Sequence, residues 1–204
     1  MSVGFIYTGY LRSWAQCWKN HRDNIWTPDG FMFFYTYESP AFAMHEDMNE
    51  PEHPHRWTMI YEPFFPDPFA HHRYSERKAP ENTIYQTWNQ WINNLVGFIT
   101  TPPGLDIYVR VRPDIKFNGK LNFKDYDCSR KVIYIPQGMD FGGINDQFAF
   151  GNREVMKIYY SVFVNCHDLW HDGVMHHSET MQLENLRRNG VEIVRIQPQH
   201  DIIR

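Results

Sequence analysis

The chain has 204 residues, 42% of them hydrophobic, which is enough for one domain spanning residues 1–204 with a full core and no cross-links. A net charge of −4, from 20 basic and 24 acidic residues with no polybasic run, argues against a nucleic-acid partner, which needs a basic face. It leaves room for a nucleotide ligand, which needs only a few placed cations and backbone N–H groups.

Residues 3–7 (Val-Gly-Phe-Ile-Tyr) read as a buried strand, Thr8-Gly9-Tyr10 as a turn, and residues 11–24 as a helix with Leu11, Trp14 and Trp18 on one stripe. After the turn signal Thr27-Pro28-Asp29-Gly30, residues 31–37 form a second strand that is apolar on both faces, the mark of a covered parallel sheet. The two strands and the helix between them make a βαβ unit. Residues 38–80, rich in Pro, His and acidic side chains, lack periodicity and predict a long excursion with short helices on the active-site side. Its end carries the charged run Arg73, Glu76, Arg77 and Lys78, a solvated cap or a source of a phosphate-reaching cation.

A long helix follows over 80–99, ended by Pro102-Pro103-Gly104. Strands are expected over 106–112, 132–136 and 146–151, with a glycine-bearing loop over 138–145. A helix capped near Asn152 should run to about Asn165, a last helix should open at Ser178-Glu179-Thr180 and end at Asn189-Gly190, and a strand should close over 191–196. The strand-like Asp201-Ile202-Ile203-Arg204 at the end suggests the first domain of a longer protein. Cys17, Cys128 and Cys166, with no Cys-x-x-Cys pair, argue against a disulfide framework and for a reducing, cytoplasmic setting. No run approaches the ~20 apolar residues of a membrane span. Aromatics make up 17% of the chain, which fits a Phe-rich core and also ring surfaces on which sugars stack.

Three places carry chemistry. In Arg110-x-Arg112-Pro113-Asp114, two arginines end an apolar strand, and alternation puts both on the face of Tyr108. Buried arginines are costly unless each meets an anion. Asp114 lies just past the strand's carboxyl end, where open α/β sheets bind ligands and where a carboxylate can hold Mg²⁺ or Mn²⁺ on a diphosphate. An internal Arg–Asp pair bracing the turn fits the spacing equally well. In Thr8-Gly9-Tyr10-Leu11-Arg12, the glycine and the helix start favour a pyrophosphate beside Arg12. In the run from Gly142-Gly143 to Asp146-Gln147-Phe148-Ala149-Phe150-Gly151, Asp146 is placed to accept a proton or to bind sugar hydroxyls. Of the 11 histidines, His167 and His171 are spaced as a zinc pair on one helix face, with His176 or His177 as further ligands of a zinc hydrolase. Ordinary surface positions explain them as well.

The order of these segments resembles the small GT-A-type glycosyltransferases of bacterial polysaccharide loci and chlorella viruses. The resemblance runs from Val3 to about Arg195 and is most specific at Arg-x-Arg-Pro-Asp and Asp-Gln-Phe-Ala-Phe-Gly. It implies an α/β, GT-A-like (Rossmann-like) fold with a central, mostly parallel sheet flanked by helices, working in the cytoplasm, or the host cytoplasm for a viral chain. It further implies a nucleotide-sugar donor, with UDP the expected nucleotide, and a glycan acceptor. Thr8, Gly9, Tyr10, Arg12, Arg110, Arg112 and Asp114 would bind the donor. Asp114 corresponds to the last acid of the metal-binding motif, His200 is a second ligand for Mn²⁺ or Mg²⁺, and Asp146 takes the acidic catalytic position. The first acid of that motif is here Arg112. That departure is the best support for an alternative, a non-catalytic nucleotide-sugar or glycan-binding module of the same fold.

Overall fold

Long apolar runs make the inner strands of the sheet. β1 (Val3–Gly9) and β2 (Gly30–Thr36) are buried nearly throughout and pair in parallel from Val3 opposite Gly30 to Gly9 opposite Thr36. The computed structural model describes residues 1–11, 13–36, 55–59 and 81–203, with 55–59 and 81–86 as backbone alone. Between β1 and β2 lies α1 (Trp14–Asn24), which starts three residues later than the pattern predicts because the turn after β1 runs on to Leu11, whose carbonyl accepts the Trp14 N–H. The apolar stripe is as expected, Trp14 and Trp18 being buried.

The stretch expected as an excursion contains a strand, β3 (His55–Met59), parallel to β2. The Arg73–Lys78 run lies outside the described residues. Then come α2 (Glu81–Thr100), β4 (Ile107–Val111), β5 (Ile115–Phe117), β6 (Val132–Pro136) and β7 (Phe148–Gly151). The single helix expected over 152–165 is two, α3 (Arg153–Tyr160) and α4 (Val162–His171). The break is at Ser161, whose hydroxyl donates back to the Ile158 carbonyl at 2.8 Å, the local competition by which serine bends helices. Asn152 caps α3 through its side chain, which accepts from the Val155 N–H. The chain closes with α5 (Ser178–Arg188), β8 (Glu192–Ile196) and β9 (His200–Ile202).

The protein is an α/β fold with a central, mostly parallel, Rossmann-like sheet flanked by helices. The seven-stranded sheet has the order β3-β2-β1-β4-β7-β6-β8, and six strands run one way with β7 alone reversed. A two-stranded sheet pairs β5 with β9. One face of the large sheet, with Phe5, Tyr7, Met32, Phe34 and Val109, packs under α1 and the small sheet; the other, with Ile6, Phe33, Tyr108 and Ala149, packs under α2, α3 and α5. Among the described residues no helix is long and apolar enough to cross a membrane.

Two features of this topology position a site. The chain leaves β1 for β2 on one side and returns to β4 on the other, so the carboxyl ends of β1 and β4 flank a topological switch point, where open α/β sheets bind ligands. The reversal of β7 brings its first residues, with Asp146 and Gln147 just before them, to that same edge; the Arg112 N–H donates to the Gln147 carbonyl at 3.0 Å.

Candidate functional site at the β1–β4 switch point

At the end of β1, Thr8 is buried and its hydroxyl hydrogen-bonds the Asn94 side-chain oxygen on α2, which fixes the strand end against that helix. Gly9 has φ +117°, a left-handed conformation that side chains resist, and it lets the backbone turn into the crevice. Tyr10 is half exposed beside it. Arg12, expected to bind the donor, lies outside the described residues.

Arg110 is 1% exposed, an unusual place for a cation. Its Nη1 donates to the carbonyls of Thr8 at 3.1 Å and Val111 at 2.7 Å and so ties the ends of β1 and β4 together. Among the described residues its Nε has no partner and no carboxylate contacts it directly. Burial weakens its hold on its proton, while Asp146 is close enough to oppose that effect.

Arg112 does not continue the strand beside Arg110. The strand ends at Val111, and Arg112 turns back on Asp114 in a two-pronged pair, Nε to Oδ1 at 2.9 Å and Nη2 to Oδ2 at 2.8 Å. The Asp114 side chain is 3% exposed and that of Arg112 is 24% exposed. This is the internal pair that the spacing allowed.

The 137–146 loop supplies the acids. Met139 and Phe141 both adopt the left-handed region, at φ 54° and 41°, and Phe141 stands 64% exposed. Asp140 anchors the loop by accepting from Arg195 at 2.8 Å and from the Asn145 N–H at 2.9 Å. Gly143 is required by close approach, since a Cβ there would fall 2.0 Å from the Glu179 carbonyl in the first turn of α5. The Ile144 N–H donates to that same carbonyl at 3.1 Å. Loop and helix are therefore locked together, and Asp146 Oδ2 accepts from Ser178 Oγ and from Gln90 Nε2, each at 2.7 Å.

Glu179 emerges here without having been foreseen beyond its place as a helix opener. Its carboxylate is 14% exposed and meets His177 Nδ1 at 3.3 Å. Burial, then the negative charge of Asp146, pushes its pKa up to about 7, with Arg112 pulling the other way. No local pattern signals this, because the partners come from other elements.

His200 sits on β9 opposite Phe117, with Nε2 at 2.9 Å from Gln147 Oε1 and a buried Nδ1 that has no partner among the described residues. Burial, then the Arg112 charge, lowers its pKa to about 4, so the ring is neutral at pH 7. A divalent cation does not fit Asp114 and His200 as they stand. Hard cations want several oxygen ligands, yet both Asp114 oxygens are taken by a guanidinium that the ion would have to displace.

The histidines considered for zinc do not converge. His167 and His171 lie on the exposed side of α4 with ring centroids 4.4 Å apart and planes tilted by 58°, whereas His176 is buried with Nε2 accepting from Trp88 Nε1 at 3.0 Å. Among the described residues no three His, Cys, Asp or Glu side chains are grouped to hold a metal.

The arrangement defines an α/β protein with a buried polar, mixed-charge cluster at its switch point, where open α/β sheets form their ligand crevice. A scan of protein-family models finds no match to this chain, and a search of curated proteins finds no significant similarity.

Proposed function

We propose that the chain is a GT-A-like glycosyltransferase that moves a sugar from a nucleoside-diphosphate donor, with UDP-sugars the first to test, to a glycan hydroxyl. The observation that carries this reading is the convergence, at one switch point, of two arginines with three carboxylates, Asp114, Asp146 and Glu179, the last with its pKa pushed up to about 7. Arginines suit a leaving diphosphate, and a carboxylate with a pKa near the working pH suits removal of a proton from an attacking hydroxyl.

In the reaction the acceptor oxygen forms a bond to the anomeric carbon. The bond from that carbon to the diphosphate oxygen breaks, and its electron pair stays with the diphosphate, whose negative charge rises by one. The hydroxyl proton passes to Glu179, and inversion follows from attack opposite the leaving group. Glu179 is favoured over Asp146 as the acceptor of the proton because Asp146 Oδ2 already takes two hydrogen bonds. Asp146 then raises the Glu179 pKa and orients the sugar. The metal expected on Asp114 and His200 has no step in this account. Phe141, exposed at the loop tip, offers a ring face to the acceptor sugar.

The test is turnover of a nucleotide-sugar panel by the protein and by Glu179→Gln. The reading expects kcat to fall by about 10²–10⁴-fold in the variant, the range typical of a lost general base, with nucleotide binding retained. Full turnover by Glu179→Gln refutes the role of that residue. Binding of nucleotide sugar without any turnover by the unmodified protein supports the alternative, a nucleotide-sugar or glycan-binding module, which the closed Arg112–Asp114 pair favours.

A further inference from the structure

Arg112 stands beside Asp114, one of the two residues expected to hold a metal. It grips Asp114 through two of its donors, and Asp146, Glu179 and His200 are all close enough to feel or act on its charge. A guanidinium carries five N–H donors, so three remain after the two spent on Asp114. Nη1 donates to no described protein group, and the side chain reaches solvent at the crevice. The formal charges of Arg110 and Arg112 offset those of Asp114 and Asp146, which leaves Glu179 as the one further acid of the cluster among the described residues, and a dication bound at Asp114 would sit against a fixed cation.

We propose that Arg112 is the resident cation of this crevice: it occupies both oxygens of Asp114, the carboxylate a divalent metal would need, and its free Nη1 edge binds the diphosphate leaving group. The second half rests on the glycosyltransferase reading; the first does not. Asp114 has the role of an anchor. By fixing Nε and Nη2 it aims the remaining donors outward, and a pre-aimed guanidinium loses little freedom on meeting phosphate oxygens. The extra negative charge that forms on the diphosphate as the glycosidic bond breaks then meets a charge already in place.

Two titrations separate the halves. In the first, MnCl₂ is added without nucleotide to the full chain, to Arg112→Gln and to Arg112→Lys, with binding read by calorimetry and by the electron paramagnetic resonance of free Mn²⁺. The unmodified protein and Arg112→Lys should bind Mn²⁺ no more tightly than millimolar. Arg112→Gln, which takes the guanidinium off both Asp114 oxygens, should bind it at least tenfold more tightly at one site, and Asp114→Asn added to that variant should abolish the gain. One-to-one micromolar Mn²⁺ binding by the unmodified protein, or no gain in a folded Arg112→Gln, overturns the resident-cation role. Should Arg112→Gln fail to fold, as judged by circular dichroism, the unmodified protein and Arg112→Lys still decide the matter.

In the second titration, uridine, guanosine, adenosine and cytidine diphosphates are added in EDTA. One should bind, within twofold of its affinity in Mn²⁺, and Arg112→Gln should weaken it at least tenfold, with recovery on adding Mn²⁺. Binding that requires metal in the unmodified protein overturns the leaving-group role. Failure of all four diphosphates to bind under any condition overturns that role together with the glycosyltransferase reading, while the Mn²⁺ titration still judges whether Arg112 excludes a cation.

Discussion

Glu179 should make the protein less stable where it makes it active. The perturbation is Glu179→Gln, which keeps shape and removes ionisation. In the folded chain the Glu179 pKa is pushed up to about 7 by burial and by Asp146, against an ordinary value of 4.5. Below pH 4.5 the group is protonated whether the chain is folded or not, and ionisation costs the fold nothing. Between 4.5 and 7 the folded state keeps a proton that the unfolded state releases, so stability falls as pH rises; above 7 the full cost is present. At 1.36 kcal/mol per pKa unit the cost reaches roughly 3 kcal/mol, most of it appearing between pH 5 and pH 8. Urea unfolding of both proteins at the two pH values reads it. Glu179→Gln should gain about 2–3 kcal/mol more at pH 8 than at pH 5, which at pH 8 amounts to several degrees in Tm for a chain of this size. An equal difference at both pH values refutes the claim that burial and Asp146 raise the Glu179 pKa.

Other residues give independent checks. Burial lowers the His21 pKa to about 4, the ring lying between the Tyr7 hydroxyl at 3.2 Å and the Ile115 carbonyl at 2.6 Å; a ring-proton NMR titration should have its midpoint near 4, and stability should fall with acid between pH 6.5 and 4 as the unfolded chain takes up the proton first. A midpoint near 6.5 contradicts this. Gly143→Ala puts a methyl 2.0 Å from the Glu179 carbonyl, so urea unfolding should show a loss of about 1–3 kcal/mol and kcat should fall as the start of α5 is pushed away. Arg110→Met should cost no more than about 2 kcal/mol, since losing the contacts to Thr8 and Val111 is offset by removing a buried cation, yet calorimetry should show at least tenfold weaker diphosphate binding.

The sheet was legible where its strands are continuous apolar runs. Residues 3–7, 31–36 and 132–136 declare themselves because both faces are covered. His55–Met59 does not, because an edge strand with one neighbour carries no such run. The site was half legible. Arg110 and Arg112 stood out as charges at the end of an apolar strand, and Gly142-Gly143 marked a close approach, but sequence could not choose between an anion site and the Arg112–Asp114 pair. Strand alternation put the two arginines on one face; the strand stops at Val111 and Arg112 turns back, a local choice set by Asp114. Glu179 and His21 were missed for one reason. Each looks like a polar residue on an ordinary helix, and its character comes from groups distant in sequence, Asp146 for one and Tyr7 with Ile115 for the other.

The central claim is that the β1–β4 crevice takes a nucleoside diphosphate. The most direct measurement is a thermal-shift series with the four common nucleoside diphosphates and their sugar conjugates, on the unmodified protein and on Arg110→Met. A ligand bound only by the folded state, at a hundred times its Kd, adds about 2.7 kcal/mol of stability. The account predicts that one nucleotide raises Tm by several degrees and that Arg110→Met loses the shift. No shift with any nucleotide, or a shift that Arg110→Met leaves intact, contradicts it.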